Sequence, residues 1–488
     1  MSSKGLKSKT LKGFKWSFIQ QVITQILVLV TGIILMRLLS PKEFGIVAMV
    51  TVISSFLNIF SDFGLTSSLI RKKEIEEIDI QVVYTITVIL GCSLAMILFI
   101  CSNFLADFYK EPRVSLIAKI LSLNFVFASI TSIHTTLLRK NLRFKEIAIS
   151  RGLSILIAST IAIYLAYENY GIWALVAQGI VSTLFYSLII SKFISAKFKF
   201  NLNKEILKEH LNFGVPLFGS RTFSYFSKNS DKIFIGKFLS SYELGIYSRA
   251  YNLVYLPIHK ISMIFTSVMF SAYSKISNEK KKIGDTYLSM ISILMYLLLI
   301  GLSVLFIYSD FLVVEVLGEK WIEISELMKV FVFVVTLQLP LNLRSNVTLS
   351  QGNSKHEFYF TIIGAILDIT AIIIGLYFGL IYVAYGLLVS IIIKVLINCY
   401  LIKLSINLNI YSQIIQIAKP ILGSLVFIFS FTYFSVSFTD LNKWILIFIA
   451  LMLSIFFNSS ILYLWDRKLF GEITLLISKD VLIRRNEK

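Results

Sequence analysis

Arg221, Tyr225, Lys228 and Lys232 fall at i, i+4, i+7 and i+11 of a stretch otherwise apolar enough to enter a bilayer. At about 100° per residue these side chains share one narrow helical face, which Lys237 continues. Arg249 and Lys260, eleven residues apart, repeat the arrangement on the following stretch. Asp231, about a quarter turn off the face, is the acid available within these two stretches. An ionisable group at mid-bilayer costs about 3 kcal/mol unless it is paired or hydrated. A face of uncompensated cations therefore points to water and an anion. For Lys232 and Lys237, snorkelling to phospholipid headgroups is the competing reading; for the deeper Arg221 and Lys228 the hydrated cavity is preferred.

Other ionisable groups interrupt apolar runs singly. Lys119, Arg151, Arg344 and Lys394 each either pair or line a cavity. Arg344 lies between Asn342 and Asn346 and shortly after Pro340, while Lys394 has Asp368 on the neighbouring stretch as a structural partner. Asp62 is the main buried acid of the first half. With Asp368 it is a candidate for coupling to protons or sodium, and an interhelical hydrogen bond is the alternative. His134 and His259 stand alone, and Cys92, Cys101 and Cys399 form no CxxC pair, so no metal site is expected. GxxxxGK[ST], HExxH and GxSxG are all absent. The expectation is a protein without cofactor that moves a cargo and is not an enzyme.

The elements that must position these groups are membrane spans. Of 488 residues, 56% are hydrophobic and 15% charged, against about 25% charged in a soluble domain, and the mean hydropathy is +0.79. Forty Phe and 23 Tyr suit helix interfaces and headgroup belts. A span takes about 20 apolar residues, and the chain holds about fourteen such stretches. They lie near 14–37, 44–70, 82–105, 114–137, 147–167, 171–193, 211–238, 244–272, 285–308, 324–349, 358–379, 381–402, 415–437 and 443–464. The polar, basic leader precedes a first span without a cleavage site, so that span acts as its own targeting signal.

The net charge of +19 follows the loops. With the N-terminus inside, the inner loops collect Lys4–Lys15, Arg71 to Lys73, Arg139 to Lys145, Lys192 through Lys208, Lys275 to Lys282 and the tail from Arg467. Bases in these inner segments outnumber those outside by about four to one, the positive-inside asymmetry. Both termini are then cytoplasmic. The outer segment around 308–326 is acidic and too short for a soluble domain, so the bases are membrane anchors and nucleic acid is not a partner.

A duplication organises the chain. The run from Arg37 to Ile46 reads without gaps against Lys237 to Ile246, and Leu39, Ser40, Glu43, Gly45 and Ile46 recur as Leu239, Ser240, Glu243, Gly245 and Ile246. Six spans separate the copies, so the halves share one orientation, a transporter plan with parallel repeats. The expected all-α architecture is a six-helix lobe over 1–205, a second over 206–405, and two further helices with a basic tail over 406–488, the lobes flanking a central cavity. Pro216, Pro257 and Pro340 fall in spans 7, 8 and 10, where kinks suit alternating access. Gly375 and Gly379 form a GxxxG packing signal.

Leu11-Lys12-Gly13-Phe14-Lys15-Trp16-Ser17, the turn Arg37 to Gly45, Asp62-Phe63-Gly64-Leu65 and Arg249-Ala250-Tyr251-Asn252-Leu253 together resemble the Wzx-type polysaccharide flippases. These share a superfamily with lipid II flippases and multidrug antiporters. The resemblance covers essentially the whole chain. It implies a V-shaped cavity between two six-helix lobes and an undecaprenyl-diphosphate-linked oligosaccharide moved from the cytoplasmic to the outer leaflet of the cell membrane. Surface polysaccharide such as O-antigen, capsule or a teichuronic-acid-like polymer would be the product. Arg221, Tyr225, Lys228, Lys232, Arg249 and Lys260 would hold the diphosphate. Membrane lipids, a polysaccharide polymerase and chain-length machinery are the implied partners. A cation-coupled drug exporter and a membrane polysaccharide polymerase are the competing functions; the cationic face disfavours the first and the short outer loops the second.

Overall fold

A chain in hydrocarbon must satisfy every backbone N–H and C=O internally, which leaves the helix as the unit of construction here. The computed structural model describes residues 3–61, 63–72, 75–194, 199–207, 229–276, 278–437 and 441–467, with Thr222, Tyr225, Phe226 and Gly471. Its helices in chain order are α1 (Ser3–Leu38), α2 (Pro41–Leu57), α3 (Leu65–Arg71), α4 (Glu77–Ile100), α5 (Ser102–Tyr109), α6 (Arg113–Leu121), α7 (Leu123–Lys140), α8 (Phe144–Tyr167), α9 (Ile172–Ser191), α10 (Ser241–Lys275), α11 (Lys280–Leu312), α12 (Glu323–Ser350), α13 (Ser354–Phe378), α14 (Leu380–Ile406), α15 (Ile410–Val436) and α16 (Lys443–Trp465). Among the described residues, twelve segments are long and apolar enough to cross a membrane. Most of the expected span 211–238 lies outside the described residues, while 244–272 falls within α10. Large apolar side chains such as Phe429 and Tyr433 are more than 80% exposed, as expected of surface that faces lipid rather than water.

Three expected spans are not single helices. The stretch 44–70 divides into α2, a tight turn at Asn58–Ser61 and α3. Phe63 and Gly64 have φ of 44° and 75°, the left-handed region that an α-helix excludes. Hydropathy sees an unbroken apolar run here, whereas the backbone turns at the glycine. The expected spans 82–105 and 114–137 are likewise each built from two helices, α4 with α5 and α6 with α7. The segment 313–321, expected as a loop, is largely helical turns.

The chain forms two compact units, Met1–Ser248 with Val316–Lys320, and Arg249–Glu315 with Trp321–Lys488. In the first, the duplicated turns have the same local chemistry. Ser40 caps α2, its N–H and hydroxyl donating to Glu43 Oε2 at 2.7 and 2.8 Å. Ser240 caps α10 in the same way, its hydroxyl 2.8 Å from Glu243 Oε2. Gly45 and Gly245 each stand fifth in their helices, and the two backbones cross there in direct contact. A Cβ on Gly45 would overlap the Ser241 carbonyl, and one on Gly245 would overlap the Pro41 carbonyl. The base preceding each turn also has an equivalent partner. Arg37 Nε donates to the Val316 carbonyl at 2.8 Å, and Lys237 Nζ to the Phe108 carbonyl at 2.7 Å, near the end of α5. Such a cation satisfies carbonyls that a helix end leaves without partners. Nearby, Arg113 holds the Glu111 carboxyl below the usual carboxylate range through a hydrogen bond. At the opposite end of the unit Lys72 pairs at 2.8 Å with the fully buried Asp79, whose other oxygen accepts from Glu76 N–H to cap α4.

In the second unit, α15 and α16 dock on α11 through Val304, Tyr308, Phe427, Phe431, Leu446 and Ala450. Lipid is as apolar as these side chains, so polar contacts and close packing add the specificity. Gln416 Nε2 donates to Ser292 Oγ at 2.6 Å and to Asp466 Oδ2 at 3.2 Å. Asn458 Nδ2 donates to the Ser454 carbonyl at 2.9 Å, and Asn398 Nδ2 to the Tyr287 hydroxyl at 3.2 Å. Gly375 lets α13 lie against the first turn of α14 at Val383, and Gly379, with φ of 116°, makes the turn between them.

Candidate functional site

Helices α1, α2, α7, α8 and α9 of the first unit, with Leu121 at the end of α6, enclose a cavity of about 680 Å³. Its polarity is built by helical spacing. Thr51, Ser54, Ser55 and Asn58 run along one face of α2 and its closing turn, at i, i+3, i+4 and i+7. Gln178, Ser182 and Thr183 face it from α9, Thr24 from α1 and Asn124 from α7, while α8 contributes Arg151 and Ser159. Val28, Val47, Phe125, Ile155 and Leu175 supply apolar surface between them. Several hydroxyls close locally, such as Ser54 Oγ on the Val50 carbonyl at 2.8 Å. Thr24 Oγ1, Asn124 Oδ1 and Ser159 Oγ are buried in the wall with no hydrogen-bond partner among the described residues.

Arg151 is the one ionisable residue among the described residues lining this cavity. Its guanidinium carbon lies 5.1 Å from the Tyr186 ring centroid. The Tyr186 hydroxyl is 3.2 Å from Thr135 Oγ1, which fixes the ring from α7. Arg151 stands seven residues into α8, about 10 Å along its axis. Among the described residues the arrangement is a neutral hydrogen-bonding surface with one cation. It suits a polyhydroxylated, uncharged or anionic ligand.

The structure distributes the sequence-derived candidates unevenly. Arg221, Lys228 and Asp62 lie outside the described residues. The Tyr225 hydroxyl donates to the Val52 carbonyl of α2. Lys232 Nζ donates to Asn229 Oδ1 at 3.3 Å, and Asp231 accepts from the Tyr247 hydroxyl at 2.7 Å. Tyr225 and Lys232 belong to the first unit, Arg249 and Lys260 to the second; Arg249 is half-buried and Lys260 exposed. Lys119 lies over the Phe99 ring at 5.8 Å. Arg344, 2% exposed, forms a two-pronged pair with Glu357 at 2.7 and 3.0 Å. Lys394 pairs with Asp368 at 2.7 Å, and Ser390 donates to the same Asp368 oxygen. Among the described candidates, Arg151 alone lines the cavity. The neutral wall around it went unread in the sequence, although the α2 residues follow the spacing used to find the cationic face. Among the described residues no cluster of three or more His, Cys, Asp or Glu could hold a metal ion.

A family profile described as polysaccharide biosynthesis protein matches residues 34–326. The lipopolysaccharide biosynthesis protein WzxC of Escherichia coli (strain K12) is 28% identical over 426 residues, 86% of this chain and 83% of that protein. The teichuronic acid biosynthesis protein TuaB of Bacillus subtilis (strain 168) is 27% identical over 426 residues, 86% of this chain and 87% of that protein. Among solved structures, the lipid II flippase MurJ in an inward closed conformation superposes with a TM-score of 0.73. The likeness spans 92% of this chain and 99% of MurJ at 19% identity, which establishes a shared fold. An inward-facing multidrug resistance MATE family transporter of the MOP superfamily follows with a TM-score of 0.59, at 15% identity over 79% of this chain and 94% of that one.

Proposed function

The chain belongs to the polysaccharide biosynthesis protein family, and we propose on that ground that it is a flippase for lipid-linked oligosaccharide units. The cargo is an undecaprenyl-diphosphate-linked repeat unit, carried from the inner to the outer leaflet of the cytoplasmic membrane by alternating access for surface polysaccharide synthesis. The observation that carries the reading is the hydroxyl- and amide-lined cavity inside a membrane-spanning unit. Sugar hydroxyls must shed water to cross hydrocarbon, and each unmatched one costs several kcal/mol there. A wall that offers replacement partners lowers that barrier. The polyprenyl tail can stay in lipid throughout. Arg221, Lys228, Lys232, Arg249 and Lys260 act in this proposal as the cations that accompany the diphosphate, since charge-assisted bonds to phosphate are the strong ones.

The competing readings have less support. A cationic drug would call for acids, and the described cavity lining has none; Asp368 is committed to Lys394. A polymerase would need catalytic groups on the outer segment, where Asp310 is held by Lys329 at 2.7 Å. Membrane lipids, a polymerase and chain-length machinery are the proposed partners.

Leaflet-resolved analysis of lipid-linked intermediates tests the function. A strain lacking the protein is expected to accumulate lipid-linked oligosaccharide in the inner leaflet. Complementation by Arg221→Gln/Lys228→Gln is expected to leave the protein in the membrane and surface glycan at background. Unpolymerised units accumulating outside the membrane would transfer support to the polymerase reading. The proposed orientation, with both termini cytoplasmic, predicts that reporter fusions at residues 72, 140, 200 and 280 all report the cytoplasm, and an external signal at any one refutes it.

A further inference from the structure

Arg151 carries a charge that the translocation reading does not use, in a wall whose other described residues are neutral. No carboxylate lies within ion-pair distance of it among the described residues. Its guanidinium lies over the face of Tyr186, 5.1 Å from the ring centroid. A guanidinium over a ring face still has N–H groups that can make two parallel bonds to an oxyanion. The number of cations then decides what kind of anion fits. A diphosphate brings about two negative charges, and in a low-dielectric wall a single cation leaves an uncompensated charge. A carboxylate brings one. The surroundings agree, because Ser55, Asn58, Gln178 and Ser182 offer neutral donors and acceptors of the kind sugar hydroxyls use.

We propose that Arg151 is a specificity-determining residue that reads a carboxylate on the oligosaccharide, so the cargo contains an acidic sugar seated in the first-unit cavity. This rests on the flippase reading and adds the chemical class of the repeat unit.

The test uses the purified full-length protein in lipid nanodiscs and three probes. These are a tetrasaccharide of alternating glucuronate and N-acetylglucosamine, its carboxyl-reduced counterpart, and farnesyl diphosphate. Wild type is expected to bind the acidic tetrasaccharide roughly ten- to a hundredfold more tightly than the reduced one, the range of a two-pronged charge-assisted pair. Arg151→Gln should bind both tetrasaccharides with the reduced form's affinity and farnesyl diphosphate as wild type does. A selective loss of farnesyl diphosphate binding in Arg151→Gln would show that the guanidinium reads the lipid's phosphates and would overturn the proposal. Equal weakening of both tetrasaccharides would do the same, by making the residue structural. The wild-type comparison needs no variant, so it decides even if Arg151→Gln does not fold. Absence of an acidic preference in wild type, or of binding to either sugar, overturns the inference. The flippase reading stands or falls separately, on the leaflet in which lipid-linked units accumulate.

Discussion

Gly45→Ala and Gly245→Ala are each expected to bring surface polysaccharide to background while the protein still inserts in the membrane. The crossing of α2 and α10 has no room for one methyl group, because a Cβ at either position overlaps a backbone carbonyl of the other helix. A flexible side chain could move aside, whereas a carbonyl that also accepts in its own helix cannot. Overpacking of this kind costs about 1–3 kcal/mol, and backbone overlap belongs at the upper end. The gain from replacing glycine by alanine in a helix, about 1 kcal/mol, offsets part of it. The arrangement in which the two duplicated turns meet would therefore be lost or rare.

Gly32→Ala and Gly301→Ala supply the comparison. Nothing lies within 4 Å of a Cβ at either, so both are expected to retain export with an unchanged or slightly raised apparent melting temperature. Quantifying surface glycan beside detergent melts of all four variants separates the effects. Normal export by Gly45→Ala, with a wild-type melt, would show that the crossing is neither tight nor used. The Arg37 and Lys237 bonds to the Val316 and Phe108 carbonyls surround the same crossing. Their loss is expected to be milder, since neither clashes with anything when shortened.

Hydropathy read most of this fold because lipid imposes one requirement on every span, about 20 apolar residues with a closed backbone. The expected spans from 285–308 onward each correspond to one helix between α11 and α16. The reading failed where the backbone departs from that rule inside an apolar run. The break at Phe63 and Gly64 is set by dihedral angles, which apolar content does not encode. The duplication was legible because Ser40 and Glu43, with Ser240 and Glu243, are capping residues whose spacing is fixed by helix geometry. That Gly45 meets Gly245 was not, since a contact across 200 positions leaves no local mark. The cavity shows a different limit. Charge marks a residue inside a membrane span, as at Arg221, Lys228 and Arg151, whereas Thr51, Ser54 and Asn58 are as periodic and carry no charge. Neutral polar residues are common as interhelical contacts, and only the open space beside them distinguishes a binding wall from packing.

Glu357→Ala is expected to destabilise the second unit more than Arg344→Met, although both remove the same ion pair. The two prongs at 2.7 and 3.0 Å join a side chain that is 3% exposed to one that is 27% exposed. Phe360 also lies against the guanidinium, its centroid 3.8 Å from the central carbon. Breaking a buried pair from one side costs about 3–5 kcal/mol, mostly for the charge left behind. In Arg344→Met that charge belongs to Glu357, which can reach water, take a proton or keep its bond from Thr348, 3.3 Å away. In Glu357→Ala the charge is a guanidinium in α12 that cannot deprotonate. Met fills the volume of the arginine stem, whereas Ala leaves a gap beside it. The double variant Arg344→Met/Glu357→Ala should recover much of the loss, because an apolar replacement of both partners leaves no buried charge. Apparent melting temperatures of the three variants in one detergent check the order, with Glu357→Ala lowest and the double variant above it. If Arg344→Met melts below Glu357→Ala, water reaches the arginine, and the buried-charge account of this pair is wrong.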